Sequence, residues 1–459
     1  MERMSYAEES RVGVTRRSFL GGAVAFAAAP SAFAAASPGP YETAGGRASD
    51  PVMVRRLYLD LAGRLPTAEE AREYVASAAA DKRARLVDRL LKADSFADLW
   101  SMRFCDILRV KSEFPINLWP NAVYVYHRRI RAFVLADEPW DRFARALLTA
   151  TGSDFRDAEA NFFRATAQRT PEGYAEAAAQ TFLGEGWRTV SGTEGLADYF
   201  RSVRVKTTRE WKEEVVLVEG EDRRPAFCAR LFGEWREAFA AAFVRRVDGW
   251  LLSRAAADPA HVAAFRAKGL RLKPLVRAIV LSDAYARGPV TGGFPCRRLE
   301  AEVLEDVLCD LTGMTRAYQS IAPEPFTFLP PERRSVLVED GSISSAFLTL
   351  FGRPARDTGR MDERQNGITA KQRLYLFSSG RLHQALGRMQ TADKAFGRLP
   401  PRRRIDELYW RFLSRPPTGA ESNRLMARFE ALPKGRERGQ FHRDLAWALM
   451  NSREFLYQH

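Results

Sequence analysis

The sequence predicts a mainly α protein, a multi-helix, bundle-like body with at most one short β hairpin or strand near residues 213–220. Three observations carry this expectation. Apolar residues recur with the 3.6-residue helical period through most of the chain. Capping pairs that open helices stand near both ends. Val215-Val216-Leu217-Val218 is the one convincing strand-like run. At 459 residues and 46% hydrophobic content the chain can bury a large core, as two domains or one large one.

The chain opens as an export signal. Thr15-Arg16-Arg17-Ser18-Phe19-Leu20 leads into the weakly apolar, Gly/Ala-rich stretch 21–29, with Pro30 ending it and small-x-small sites at Ala32-Phe33-Ala34 and Ala34-Ala35-Ala36. Paired arginines before a short apolar stretch fit the twin-arginine exporter, so Arg16 and Arg17 are the expected export residues. Residues 1–36 are therefore expected to be a twin-arginine signal peptide, which makes the mature protein periplasmic or extracellular. No later run approaches the ~18 apolar residues of a membrane span. The Ser/Pro/Gly/Ala-rich 37–49 reads as a linker, 50–203 as an N-terminal helical domain, the charged 204–224 as a junction, and 225–459 as a C-terminal helical domain.

A helix starts at Pro51, with Val54, Leu57, Tyr58, Leu61 and Leu65 on one face. It breaks at Arg64-Leu65-Pro66, and Thr67-Ala68-Glu69-Glu70 is a capping box opening the next helix. There the Thr67 hydroxyl accepts from the Glu70 amide and the Glu70 carboxylate accepts from the Thr67 amide. At an offset of 351, Leu408, Tyr409, Arg415, Pro417, Thr418 and Glu421 repeat Leu57, Tyr58, Arg64, Pro66, Thr67 and Glu70, which predicts an internal repeat. Further helices end alike at Leu90-Leu91-Lys92-Ala93-Asp94-Ser95-Phe96, Ile279-Val280-Leu281-Ser282-Asp283-Ala284-Tyr285 and Leu449-Met450-Asn451-Ser452-Arg453-Glu454-Phe455. Amphipathic periods cover 98–110, 122–136, 139–150, 172–184, 226–254, 272–282, 298–312, 403–413 and 440–450, whereas 314–345 and 353–366 read as long loops.

The net charge of +14 arises from 61 arginines and 10 lysines interleaved with 57 acids, without a like-charge block of five. That is a chain-wide bias, and with export it argues against a nucleic-acid partner. Cys105, Cys228, Cys296 and Cys309 form no Cys-x-x-Cys pair, and a Cys296–Cys309 disulfide is open outside the cytosol. His127, His261, His383, His442 and His459 include no pair at metal spacing, so no metal and no cofactor are expected. No nucleophile elbow, phosphate loop or dinucleotide fingerprint occurs.

Two charged groups remain. Asp106 and Arg109, three apart, are expected to share a helix face as a buried ion pair. Arg353, Arg356 and Asp357, in Phe351-Gly352-Arg353-Pro354-Ala355-Arg356-Asp357, form a loop that can grip an anion or charged polymer bidentately. The same arginines can instead tie the loop to neighbouring acids or helix ends.

Several stretches resemble a known family. The run 54–67, Trp100 to Val110, Tyr126 to Phe143 and Phe182-Leu183-Gly184 resemble the planctomycete cytochrome-c-associated domain of unknown function. Leu275 to Tyr285, Arg298-Leu299-Glu300-Ala301-Glu302, Phe351 to Arg356 and Asp444 to Phe455 resemble its usual C-terminal partner domain, also of unknown function. In that family the Phe-Leu-Gly segment leads into Cys-x-x-Cys-His. Here Glu185-Gly186-Trp187-Arg188-Thr189-Val190 follows, and Asp357-Thr358-Gly359 stands where the family tends to place a further Cys, so this is a divergent member without those soft ligands. The resemblance implies a setting beside exported sulfatase-like proteins. The expected function is a non-catalytic binding or scaffold component of envelope or polysaccharide processing. Its partners would be the twin-arginine export machinery and an exported sulfatase-like protein or a polysaccharide. The alternative is a hydrolase acting on a charged or sulfated polymer through a loop-lined groove.

Overall fold

A computed structural model describes residues 41, 43, 46–184, 195–289, 293–322 and 327–459. The signal peptide with Arg16 and Arg17, part of the 37–49 linker and the 185–190 segment lie outside the described residues. Among the described residues are 22 α-helices and five short strands, so the protein is mainly α. None of these helices is long and apolar enough to cross a membrane.

The first helix, Asp50–Ala62, carries Pro near its start and ends on Gly63 at φ 60°, with every residue from Val52 to Ala62 buried. A Cβ at Gly63 would stand 3.1 Å from the Leu99 side chain, so both the left-handed backbone and the close helix contact call for glycine. Thr67 then caps Ala68–Ala76 with the full capping box, its hydroxyl accepting from the Glu70 amide at 3.1 Å and the Glu70 carboxylate from the Thr67 amide at 2.8 Å. Near the other end, Pro401–Leu413 ends on Ser414 at φ 58°, and Thr418 caps Gly419–Ala431 through Glu421 at 3.2 and 2.7 Å. Leu57 and Leu408 are both fully buried. In each stretch an arginine follows the left-handed residue and grips the N3 glutamate with two hydrogen bonds, Arg64 to Glu70 and Arg415 to Glu421.

The two ends of the chain pack together. Helix 401–413 packs on helix 68–76. Arg55, buried in the first helix, donates to the carbonyls of Phe412 and Phe455, both at 2.8 Å. The centre is aromatic: Trp140, at the start of Trp140–Leu148, lies 4.9 Å from Phe243 of Arg236–Leu252 and 5.4 Å from Phe182 of Pro171–Phe182. Buried residues from Met53 to Leu456 form one continuous core, so both halves share their interior.

The 204–224 stretch is folded rather than a bare connection. β2 (Val203–Thr207) and β3 (Glu214–Val218) form an antiparallel hairpin with Val205 opposite Val216. β1 (Gly152–Ser153) adds to the free edge of β3, giving the order β1-β3-β2. A second antiparallel pair, β4 (Arg297–Arg298) with β5 (Tyr457–Gln458), had no signal in the sequence, because two residues carry no period and the partners are about 160 positions apart.

Candidate functional site

The Phe351–Asp357 loop turns at Gly352, whose φ is 81° and where a Cβ would meet the Gln365 carbonyl at 2.1 Å. That turn sends its arginines inward. Arg353 donates to the carbonyls of Ile343 and Asp340, the latter at 3.1 Å, and stands 3.4 Å from Glu302. Arg356, fully buried, binds Asp106 at 2.8 Å and the Glu339 carbonyl at 2.5 Å. Arg364 bridges Asp106 at 2.7 Å and Glu302 at 2.6 and 3.1 Å. Asp357 pairs with Lys111 at 2.5 Å. Arg353, Arg356 and Asp357 therefore face protein groups: the loop is a strut between Asp94–Ile107 and Ala301–Thr312, and its arginines are not presented to an external anion.

The Asp106–Arg109 pair is corrected. The helix stops at Ile107 and Arg109 adopts a left-handed backbone at φ 56°, so the three-residue face is lost. Arg109 donates to the Ala165 carbonyl at 2.8 Å, while Asp106 takes Arg356 and Arg364 from about 250 residues away. Burial alone would raise the Glu302 carboxyl, but Arg364 and Arg353 override it and hold the group well below the usual carboxylate range.

Beside this network lies a cavity of about 230 Å³, walled by Asp60, Arg103, Trp250, Arg297, Glu300 and Arg364 among others. Asp60 comes from the first helix and accepts from the Tyr285 hydroxyl and the Gln458 amide, both at 2.7 Å, and from Arg297. The β4–β5 pair sets this arrangement by placing Arg297 opposite Gln458. Arg103 lies near the Trp100 ring, 5.0 Å from its centroid, and pairs with Glu300 at 3.1 Å. It is only 4% exposed, yet its Nη1 has no hydrogen-bond partner, and neither has Oε2 of Glu300. Arg298 also lines the wall, its guanidinium engaged with backbone carbonyls. Four arginines and two carboxylates thus line one half-open space. Burial would raise Glu300, and Arg103 with Arg364 outweighs it, so that carboxyl stays low.

Asp60, Arg103, Arg297, Glu300 and Arg364 were not singled out from the sequence. A signal was present for two of them: Asp60 and Arg103 are charged residues inside apolar, helix-forming runs, where a charge is costly unless paired. The histidines stand apart in different settings. His127 and His442 are buried singly, and His261 binds Asp248 at 2.7 Å. Among the described residues no three His, Cys, Asp or Glu side chains cluster as metal ligands would. The four cysteines are free, so Cys296 and Cys309 are not bridged.

The fold and cavity define a helical protein of two sequence segments meeting at an arginine-rich seam. Residues 42–193 match the PSCyt2 family, described as protein of unknown function (DUF1549), and residues 235–429 match PSD1, protein of unknown function (DUF1553). The chain belongs to this two-domain family. Asp60 and Arg103 come from the first segment and Arg297, Glu300 and Arg364 from the second, so the cavity lies between the two matched regions. No curated protein and no solved structure matches the chain.

Proposed function

We propose that the protein is an exported, non-catalytic binding component of envelope or polysaccharide processing, and that the seam cavity holds the carboxylate or sulfate of an acidic saccharide. The observation that carries this reading is one cavity lined by four arginines, Arg103, Arg297, Arg298 and Arg364, against two carboxylates, Asp60 and Glu300. Guanidinium groups bind such anions through paired N–H donors, and a site between two segments is a common place for a ligand. Hydrolysis of a charged polymer would ask for an acid kept protonated near neutral pH, and Glu300 is held in the opposite direction. Binding is therefore favoured over hydrolysis.

Arg16 and Arg17 support export by the twin-arginine machinery to the periplasm or beyond, with an exported sulfatase-like protein or a polysaccharide as partner. The matching units near residues 57 and 408 support an internal duplication.

Calorimetry with galacturonate, galactose 6-sulfate and galactose tests the cavity. Charged sugars should bind, galactose should not, and Arg103→Gln should weaken binding by about tenfold. Equal binding of galactose, or charged-sugar binding untouched by Arg103→Gln in a variant of unchanged melting temperature, would refute the reading. Export is tested by fractionating cells that carry Arg16→Lys with Arg17→Lys; unchanged export would remove that part.

A further inference from the structure

A second, larger concavity lies beneath the β2–β3 hairpin, away from the seam. It measures about 700 Å³, and its wall includes Trp119, Trp211, Arg164, Arg209 and Lys212. Trp119 directly precedes the helix Pro120–Ala136, and Trp211 sits in the hairpin turn. Their ring centroids are 4.6 Å apart with planes at 73°, which makes an apolar corner. Trp211 is 64% exposed, unusual for so large an apolar surface unless something covers it. Lys212, held at φ 65°, places its ammonium 5.6 Å from the Trp119 ring centroid and 5.9 Å from that of Trp211.

The charges around this corner are arranged unevenly. The three glutamates of the wall are already engaged. Glu210 binds Arg156 at 2.6 Å. Glu213 accepts from the Ser153 and Thr208 hydroxyls at 2.5 and 2.7 Å. Glu214 pairs with Arg164, and with Arg169 at 3.3 Å. Among the described residues no carboxylate pairs with Arg209 or Lys212. Arg164 is 2% exposed, and its Nη1 makes no hydrogen bond. Its guanidinium is held inside the protein by Glu214 and by Asp154, 3.6 Å away, so the cations left to the groove are Arg209 and Lys212.

We propose that this groove binds an acidic polysaccharide, with a pyranose ring packed on the Trp119–Trp211 corner and its carboxylate or sulfate held by Arg209 and Lys212. A pyranose offers what the groove needs: an apolar C–H face for the indoles and sparse negative charge for Arg209 and Lys212. A single-stranded nucleic acid would also stack on aromatic rings, but its phosphates repeat at every unit and would meet three glutamates. The groove shares only its ligand class with the seam cavity, and none of its residues.

Gel retardation of the full mature protein tests the proposal, with alginate for carboxylates, carrageenan for sulfates, dextran as the neutral polymer, and single-stranded DNA. Retardation is expected in alginate, carrageenan or both, and absent in dextran; which gel responds tells carboxylate from sulfate. Trp211→Ala should weaken it by about tenfold or more. The substitution changes no charge, so non-specific attraction of this basic chain would remain, and the exposed Trp211 should be removable without lowering the melting temperature. Arg85→Gln, which removes one exposed positive charge outside the groove, should leave gel retardation intact, separating the groove from the chain's overall charge. Retardation unaffected by Trp211→Ala, retardation by DNA alone, or no retardation in either acidic gel would overturn the proposal.

Discussion

Replacing Asp106 with Ala should be among the most damaging single changes in the protein. Its carboxylate takes Arg356 at 2.8 Å and Arg364 at 2.7 Å, and it lies at the end of a helix that packs in the core. The two arginines would not suffer equally. Arg364 keeps both contacts to Glu302. Arg356, which has no exposed surface, would keep only the carbonyls of Glu339 and Val110, at 2.5 and 3.5 Å. A fully buried guanidinium without its carboxylate costs about 3–5 kcal/mol. For comparison, Asp81 binds Arg85 in a pair 55% and 72% exposed, and Asp81→Ala should cost less than about 1 kcal/mol. Urea unfolding followed by circular dichroism at 222 nm measures both. The same assay supplies a sharper check: adding Arg356→Met to Asp106→Ala removes the stranded charge and should recover part of the loss. The reasoning is refuted if Asp106→Ala behaves like Asp81→Ala, or if Arg356→Met adds its full cost on top.

Four other outcomes follow from the geometry. Thr67→Ala and Thr418→Ala should each cost about 1 kcal/mol of cap energy. In thermal unfolding Arg415→Ala should be worse than Arg64→Ala, because Arg415 is 3% exposed and binds both Glu421 and Glu454, whereas Arg64 is 29% exposed and binds Glu70 alone. Acid should weaken the fold from about pH 6.5 downward. Burial, with Arg356, Arg333 and Arg131 nearby, holds His127 at about 3, and burial holds His442 and His459 at about 4. Each stays neutral when folded but takes a proton when unfolded, so stability falls with falling pH by up to about 1.4 kcal/mol per unit per histidine. Asp154 works against them, since burial raises its carboxyl to about 6 and favours the folded state as pH falls. His127→Gln should therefore flatten the melting curve between pH 6.5 and 4.5, and an unchanged slope would refute its share. Finally, a thiol reagent should modify Cys296 alone in the native protein and all four cysteines after unfolding, because the other three are buried.

The features legible in the sequence are those settled within a few residues. A capping box involves positions three apart, and both expected boxes formed. The Val215–Val218 run formed its strand because a short apolar run with three β-branched valines needs no distant partner to be recognised. The seam was invisible for the opposite reason. Asp106 and Arg356 are 250 positions apart, and Asp60 and Gln458 nearly 400. Nothing local says which guanidinium a buried carboxylate will meet. The Asp106–Arg109 expectation failed on a smaller scale, since one left-handed residue past the helix end re-aimed the side chain.

A third instance of the terminal arrangement escaped the fixed-offset comparison, and its geometry explains why. Helix Arg236–Leu252 ends on Ser253 at φ 52°, as the others end on Gly63 and Ser414. Arg254 follows it, as Arg64 and Arg415 follow theirs. The next cap is Asp258, five positions past the left-handed residue, whereas Thr67 and Thr418 stand four past theirs. The extra residue moves the acid as well. Arg254 grips the capping Asp258 itself at 2.5 Å, where Arg64 and Arg415 grip the glutamate at N3. His261 occupies the N3 position and turns instead to Asp248, whose other oxygen accepts from the Asp258 amide at 2.8 Å. The pathways then converge again, each delivering a fully buried aromatic at the start of a later helix: Phe96, Tyr285 and Phe455. What is common to all three is a physical solution, not a residue string. A left-handed residue reverses the chain, and the arginine after it neutralises an acid at the positive end of the next helix. Either Thr with Glu or Asp alone can serve there, which is why two copies matched by letter and the third only by conformation.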